Sequence, residues 1–222
     1  MRKAPLLLLI LALVIQSTAQ DKTVAQLKKE LEEHPQQDAH RADKLVALAF
    51  SIFVPTSERK KLLEEALSIS QKINYKPGEA YAMSQLGLIR SYEGNLTEAD
   101  SMLKRADYNA QEIGDPDLIG TVLYRIGQTK ANAGNKEGMD YLFKAEKIFE
   151  NSKNYIKLTR CQATIAGIYQ LNFSNYPAAM EHLIKASASA DKANTSEGYY
   201  NVWNSLQSLY LLLGDYDNAL VY

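Results

Sequence analysis

Cysteine, histidine and tryptophan are almost missing from this chain. A single cysteine, Cys161, in 222 residues excludes intramolecular disulfides and any zinc site built on several thiolates. The three histidines, His34, His40 and His182, are too few and too scattered for a histidine metal cluster. Charge of one sign is missing too: 25 Lys and Arg stand against 26 Asp and Glu, a net charge of −1. A nearly neutral chain has no electrostatic draw towards nucleic acid or an anionic membrane surface. With 46% hydrophobic and 23% charged residues, the composition is that of a globular protein, not a disordered or collagenous one.

Long apolar runs are also missing, with one exception. Arg2 and Lys3 precede an unbroken run from Leu6 to Ile15, and Ser17-Thr18-Ala19 follows with small residues at the positions a signal peptidase reads. A basic start, a short apolar core and a small-x-small site predict a secretory signal peptide over 1–19, cleaved after Ala19. As a helix that run reaches about 15 Å, half of the roughly 30 Å hydrocarbon core. No cysteine follows it, which argues against a lipoprotein anchor. Losing Arg2 and Lys3 leaves a net charge of −3. In an oxidising compartment Cys161 is either buried or open to pairing between molecules. Its neighbours Ile165, Ile168 and Tyr169 recur at helical spacing, which favours burial.

Catalytic constellations are absent as well. The chain has no G-x-x-x-x-G-K-[ST], G-x-G-x-x-G, H-E-x-x-H or G-x-S-x-G. His182 lies in "EHLIKA", which lacks the acid and the proline that follow a phosphoacceptor histidine. Acidic pairs such as Glu32-Glu33 and Glu64-Glu65 sit beside lysines and read as solvated helix faces. No enzyme, cofactor or metal is expected within these residues.

A repeat fills the space that chemistry leaves. Gly94-Asn95, Gly134-Asn135, Ser174-Asn175 and Gly214-Asp215 recur every 40 residues, and Val54-Pro55 marks a turn one period earlier. Each mark separates two helical stretches, because Gly or Asn past an apolar-periodic segment takes the left-handed conformation that stops a helix. Small residues recur after the turn at Ala99, Gly138, Ala179 and Ala219, and again at Ala66, Ala106, Ala145 and Ala186. They mark helix crossings, with Leu86, Ile126, Ile165, Leu206, Leu103, Leu142 and Leu183 filling the space around them. Polar breaks near Asn74, Gly114, Lys153 and Asn194 divide five helix pairs at about 38–77, 78–116, 117–154, 155–196 and 197–222. Residues 20–37 form a leading helix, "TVAQLKKELEEH", and a polar link. One pair cannot bury its apolar face alone, so neighbouring pairs must stack.

The pattern resembles the tetratricopeptide repeat, W-x2-L-G-x2-Y in the first helix and A-x3-F-x2-A in the second. Trp203, Leu206, Tyr210 and Ala219 carry the match in the last unit; Leu86, Gly87, Ala99, Leu103 and Ala106 carry it in the second. Ile126-Gly127, Leu142 and Ala145 match in the third, and Ile165, Ala166, Tyr169, Ala179, Leu183 and Ala186 in the fourth. Three departures stand out. The period is 40 instead of 34, Arg90 and Lys130 occupy a tyrosine position, and the third unit is one residue short between Gly134 and Ala145.

The resemblance implies an all-α, right-handed superhelical solenoid of antiparallel helix pairs. With the export signal, the long period and phrases such as "LLEEALSISQKINYKPGEAYAMSQLG", it is similar to the periplasmic N-terminal arrays of Gram-negative sensor proteins. In those the array precedes a membrane helix and a histidine kinase or helix-turn-helix output. The last unit stops at Tyr222 part-way through its second helix, so the period predicts a longer natural protein; the resemblance implies that any membrane contact is made through an anchor downstream. A free-standing secreted or periplasmic scaffold is the alternative.

The resemblance also implies a concave face lined by first helices. Its register assigns to that face Tyr81, Gln85 and Tyr92, then Tyr124, Arg125, Gln128 and Asn132, then Arg160, Thr164 and Gln170, and finally Asn201, Asn204 and Ser208. Amides with aromatic bodies suit a protein or peptide partner in extended form, and Arg125 and Arg160 could meet an acidic group. Ser84 and Leu88 stand where the chaperone-binding members place a Lys/Asn clamp, which argues against that ligand.

Overall fold

The computed structural model describes residues 24–51, 54–194 and 196–221, with backbone alone at 196–198 and 201. The expected signal peptide lies outside the described residues. A helix through residues 24–33 (α1) is followed by α2 (Ala39–Ala49), α3 (Thr56–Lys72), α4 (Lys76–Tyr92), α5 (Leu96–Ile113) and α6 (Pro116–Asn132). The chain continues through α7 (Glu137–Asn151), α8 (Tyr155–Leu171), α9 (Tyr176–Ala193), α10 (Ser196–Leu212) and α11 (Tyr216–Ala219). Among the described residues there is no strand, and no helix is long and apolar enough to cross a membrane.

Both kinds of turn stop helices by the same device. The turns within pairs place Gly94, Gly134, Ser174 and Gly214 at φ of 83°, 78°, 51° and 73°. The turns between pairs do so with Asn74, Gly114, Lys153 and Asn194 at 56°, 74°, 55° and 49°. In the Schellman arrangement the amide beyond the left-handed residue reaches back five residues, as Asn95 N–H does to Arg90 O and Asn135 N–H to Lys130 O, both at 2.9 Å. Restarting is equally local. Asp38, Asp115, Asn154 and Asn175 each accept a first-turn amide, and Pro116 and Pro177 occupy positions whose N–H has no helical partner.

From α2 onwards each helix packs on its neighbours in sequence, giving the pairs α2–α3, α4–α5, α6–α7, α8–α9 and α10–α11. Successive first helices also pack on one another, α2 on α4, α4 on α6, α6 on α8 and α8 on α10, whereas second helices make no comparable contact. The core is accordingly a row of four overlapping clusters, each shared by adjacent pairs. The leading helix buries Leu31 in the first of them, and Arg41 closes its end by donating to the carbonyls of Leu31 and His34. Ala66, Ala106, Ala145 and Ala186 have no exposed surface, and Leu142, Ile165 and Leu183 fill the space around such crossings. The tyrosine-position departures are filled by cations that tie helices together: Arg90 pairs with Glu64, Glu93 and Glu98, and Lys130 with Glu137. The short third unit yields the shorter second helix, 15 residues in α7 against 18 in α5 and α9.

Candidate functional site

The residues assigned to the first-helix face divide into two sets. Gln85, Tyr124, Arg125 and Gln170 are buried, and Tyr81, Gln128, Arg160 and Thr164 are partly buried. Tyr92, Asn132, Asn204 and Ser208 are exposed, while the Asn201 side chain lies outside the described residues. Hydrogen bonds that span about one period join neighbouring first helices, with Tyr124 and Gln170 from the buried set and Tyr92 and Asn132 from the exposed one taking part. Tyr124 Oη and Thr164 Oγ1, 40 residues apart, share a 2.8 Å bond, and Asn132 Nδ2 donates to Tyr92 Oη at 3.0 Å over the same separation. Gln170 donates to Ser208 Oγ at 3.1 Å, and Asn172 donates to Ala131 O at 2.8 Å. Equivalent positions on stacked helices are nearest neighbours, so part of the expected binding face serves as the joint between repeats.

Asp117, in the first turn of α6, collects three such contacts. Tyr81 Oη from α4 donates to it at 3.2 Å, Asn154 from the start of α8 donates at 2.7 Å, and Lys157 forms a close ion pair with it. Lys157 also donates to Thr121 Oγ1 at 2.9 Å. Burial, and then the Asp117 charge, push the Tyr81 phenol above its ordinary pKa. Three helix pairs thus meet at one carboxylate. Sequence reading passed over Asp117 and Lys157, although their separation of one period is the signal that would have found them.

Arg125 lies at the centre of the face. Only 8% exposed, it donates Nη1–H to Gln128 Oε1 at 2.6 Å and stacks on Tyr124 at 4.8 Å and on Phe50 at 5.6 Å. Burial pushes its pKa down to about 10, which leaves it charged at neutral pH. The face assigned from the repeat register includes neither Arg59, on the second helix α3, nor Phe50, at the end of the first helix α2. Ser84 Oγ is committed to Tyr81 O at 2.9 Å and Leu88 is buried, so neither presents a clamp group.

On the other side, α5, α6 and α7 enclose a cavity of about 250 Å³ floored by Leu103 and Ile126, with Leu96 and Tyr141 also lining it. The buried Thr129 hydroxyl there has no partner. Elsewhere, no group of three His, Cys, Asp or Glu side chains among the described residues could hold a metal ion. Cys161 is buried, its thiol donates to Leu142 O at 3.4 Å, and burial pushes its pKa upwards. His34 is bonded to Asp38 at 2.8 Å, and His40 is exposed.

His182 stacks on Tyr169 at 5.6 Å and faces Phe143 at 5.9 Å, with a buried Nδ1 that has no partner. Burial lowers its pKa below 6.5, outweighing Glu146 and Glu181, while Lys185 adds to the lowering. The folded state therefore binds the proton less well than the unfolded one. The stability is intact above the unfolded value near 6.5 and is lost as pH falls from there towards the folded value. His182→Gln is expected to reduce the loss of stability between pH 7 and pH 5, measured as the shift in urea midpoint. An unchanged shift would show that His182 does not contribute to acid sensitivity.

Compared with known protein families and with curated proteins, the chain matches neither.

Proposed function

We propose that this chain is an exported array of the tetratricopeptide type that binds a protein or extended peptide along its first helices. On this reading it is the input region of a longer signal-transduction protein. The observation that carries the reading is the asymmetry of the stack. First helices pack on one another and are bonded across the 40-residue period, whereas second helices are not in comparable contact. A row of pairs held more closely along one edge curves towards that edge, which makes the first helices the inner wall of a superhelical solenoid. Contacts confined to neighbours let small changes between pairs add along the array, so a ligand that favours one pitch shifts the population towards it. The N-terminal pattern of Arg2, Lys3, the Leu6–Ile15 run and Ala19 supports export to the periplasm.

The exposed members of the face, Tyr92, Asn132, Asn204 and Ser208, supply contact area and amide or hydroxyl bonds to a peptide backbone. A random peptide library selected on the purified protein is expected to yield a related set of binders. The Tyr92→Ala/Asn132→Ala double variant should bind them about tenfold more weakly, the loss expected for one or two contacts. Its melting temperature should fall by no more than about 4 °C, because the one hydrogen bond the two side chains share is exposed. No enrichment, or equal binding by the variant, would remove the first-helix face as the site.

A further inference from the structure

Second helices make no close contact with one another, so a groove runs between each neighbouring two, floored by the first helix between them. The residue after the seam leucine stands on one side: Glu64 after Leu63, Lys104 after Leu103 and Phe143 after Leu142. The floor supplies the tyrosine position of the repeat, held by Arg90, Lys130 and Tyr169. Between α3 and α5, Arg90 reaches Glu64 at 3.4 Å and Glu98 at 3.2 Å, so its side chain closes the groove. Between α7 and α9, aromatic rings close it. Tyr169 stacks on His182 at 5.6 Å, and His182 faces Phe143 at 5.9 Å.

The groove between α5 and α7 has a lysine at both places, and like charges do not pair. Lys104 turns to Asp100, one turn earlier on α5, at 2.7 Å, and Lys130 turns to Glu137 of α7 at 3.2 Å. The cavity of about 250 Å³ lies in this groove. Leu96, Leu103, Ile126, Ala133 and Tyr141 make its lining largely apolar. Thr129 is in its wall, where the other first helices carry the buried Ile89, Ile168 and Leu209. The Thr129 hydroxyl is buried without a partner, a cost that an apolar side chain would not incur.

An apolar cavity of about 150 Å³ takes a benzene. The larger space here therefore holds one ring with a substituent, as the next groove holds the ring of Tyr169. Asp100 and Asp107 also line the cavity, which disfavours an aromatic carboxylate. We propose that the cavity between α5, α6 and α7 binds a small neutral phenol, its ring between Ile126 and Tyr141 and its hydroxyl towards Thr129. Such a ligand touches α5 and α7 together and so fixes the step between the second and third pairs. The site is separate from the first-helix face and stands whether or not that face binds a peptide.

The test is amide NMR of the purified, isotope-labelled chain titrated with phenol. Shifts at Leu103, Ile126 and Tyr141 are expected to follow one saturating curve. Lys130→Tyr gives this groove the residue that the fourth and fifth units carry, and should abolish the saturable shifts by filling the cavity. Ala133→Leu, at an exposed wall position, fills it from the other end and keeps the test decisive should the tyrosine variant not fold. Toluene should bind roughly fivefold more weakly than phenol, and Thr129→Val should erase that difference. Shifts that do not saturate, or undiminished phenol binding by a folded filled variant, would overturn the site. Toluene or benzoate binding as tightly as phenol would overturn the neutral phenol as its ligand.

Discussion

Replacing Gly138 by alanine lowers the melting temperature by roughly 2–8 °C, whereas the same change at Gly167 raises it by about 1–4 °C. Gly138 is the second residue of α7, and a Cβ there would run into the backbone nitrogen of Ala131 and stand 2.7 Å from the Gly127 carbonyl oxygen. Both neighbours are backbone of α6, so relief requires one helix to move against the other. Overpacking of this kind costs about 1–3 kcal/mol, of which up to about 1 kcal/mol is offset by the better helix propensity of alanine. The other units carry alanine at the equivalent places, Ala99, Ala179 and Ala219. The third has one residue fewer in its turn, which draws α7 against α6 and leaves room for glycine alone. Gly167, inside α8, has nothing within 4 Å of the position its Cβ would take, so alanine there gains propensity without a clash. Thermal melts of the two variants check this. Shifts of the same sign would mean that α6 and α7 do not cross at this distance.

Removing the carboxylate of Asp117 has an effect of similar or larger size. Asp117→Ala leaves Lys157 without its ion pair and Asn154 and Tyr81 without an acceptor, at a junction of three helix pairs. A buried pair broken on one side costs about 3–5 kcal/mol. With side-chain exposures of 34% for Asp117 and 25% for Lys157, solvent screening reduces this to about 2–3 kcal/mol. The expected fall in melting temperature is about 4–12 °C for a chain of this size. Asp117→Asn, which still accepts hydrogen bonds, should fall less. Adding Lys157→Met to Asp117→Ala should restore part of the loss, because the stranded cation is then gone. Strictly additive costs in that double variant would show that the pair is not coupled.

Reading along one repeat and reading across repeats give different information about the first-helix face. Along the repeat, Tyr124, Arg125 and Gln170 are polar residues off the apolar stripe and look open to a ligand. Across repeats, Tyr124 meets Thr164 and Tyr92 meets Asn132 one period away, and the same polar groups satisfy each other. Stacking distance decides which description applies at each position. Where neighbouring first helices approach closely, polar side chains become joints. At the edges of the face, as at Asn204, they stay in water.

By itself the sequence determined the helices, where they stop and which small residues mark their crossings. Those features are local: a left-handed turn residue, a capping side chain or an alanine acts within a few residues of itself, and the 40-residue period repeats the instruction. Only the tertiary structure decided that Arg59 and Phe50 of the first pair meet Arg125 of the third, and that Asp117 gathers three pairs. Those meetings depend on how much each pair is rotated and displaced relative to the one before. That small step is set by side-chain volumes at every crossing together, and it accumulates along the stack, so no single repeat encodes it.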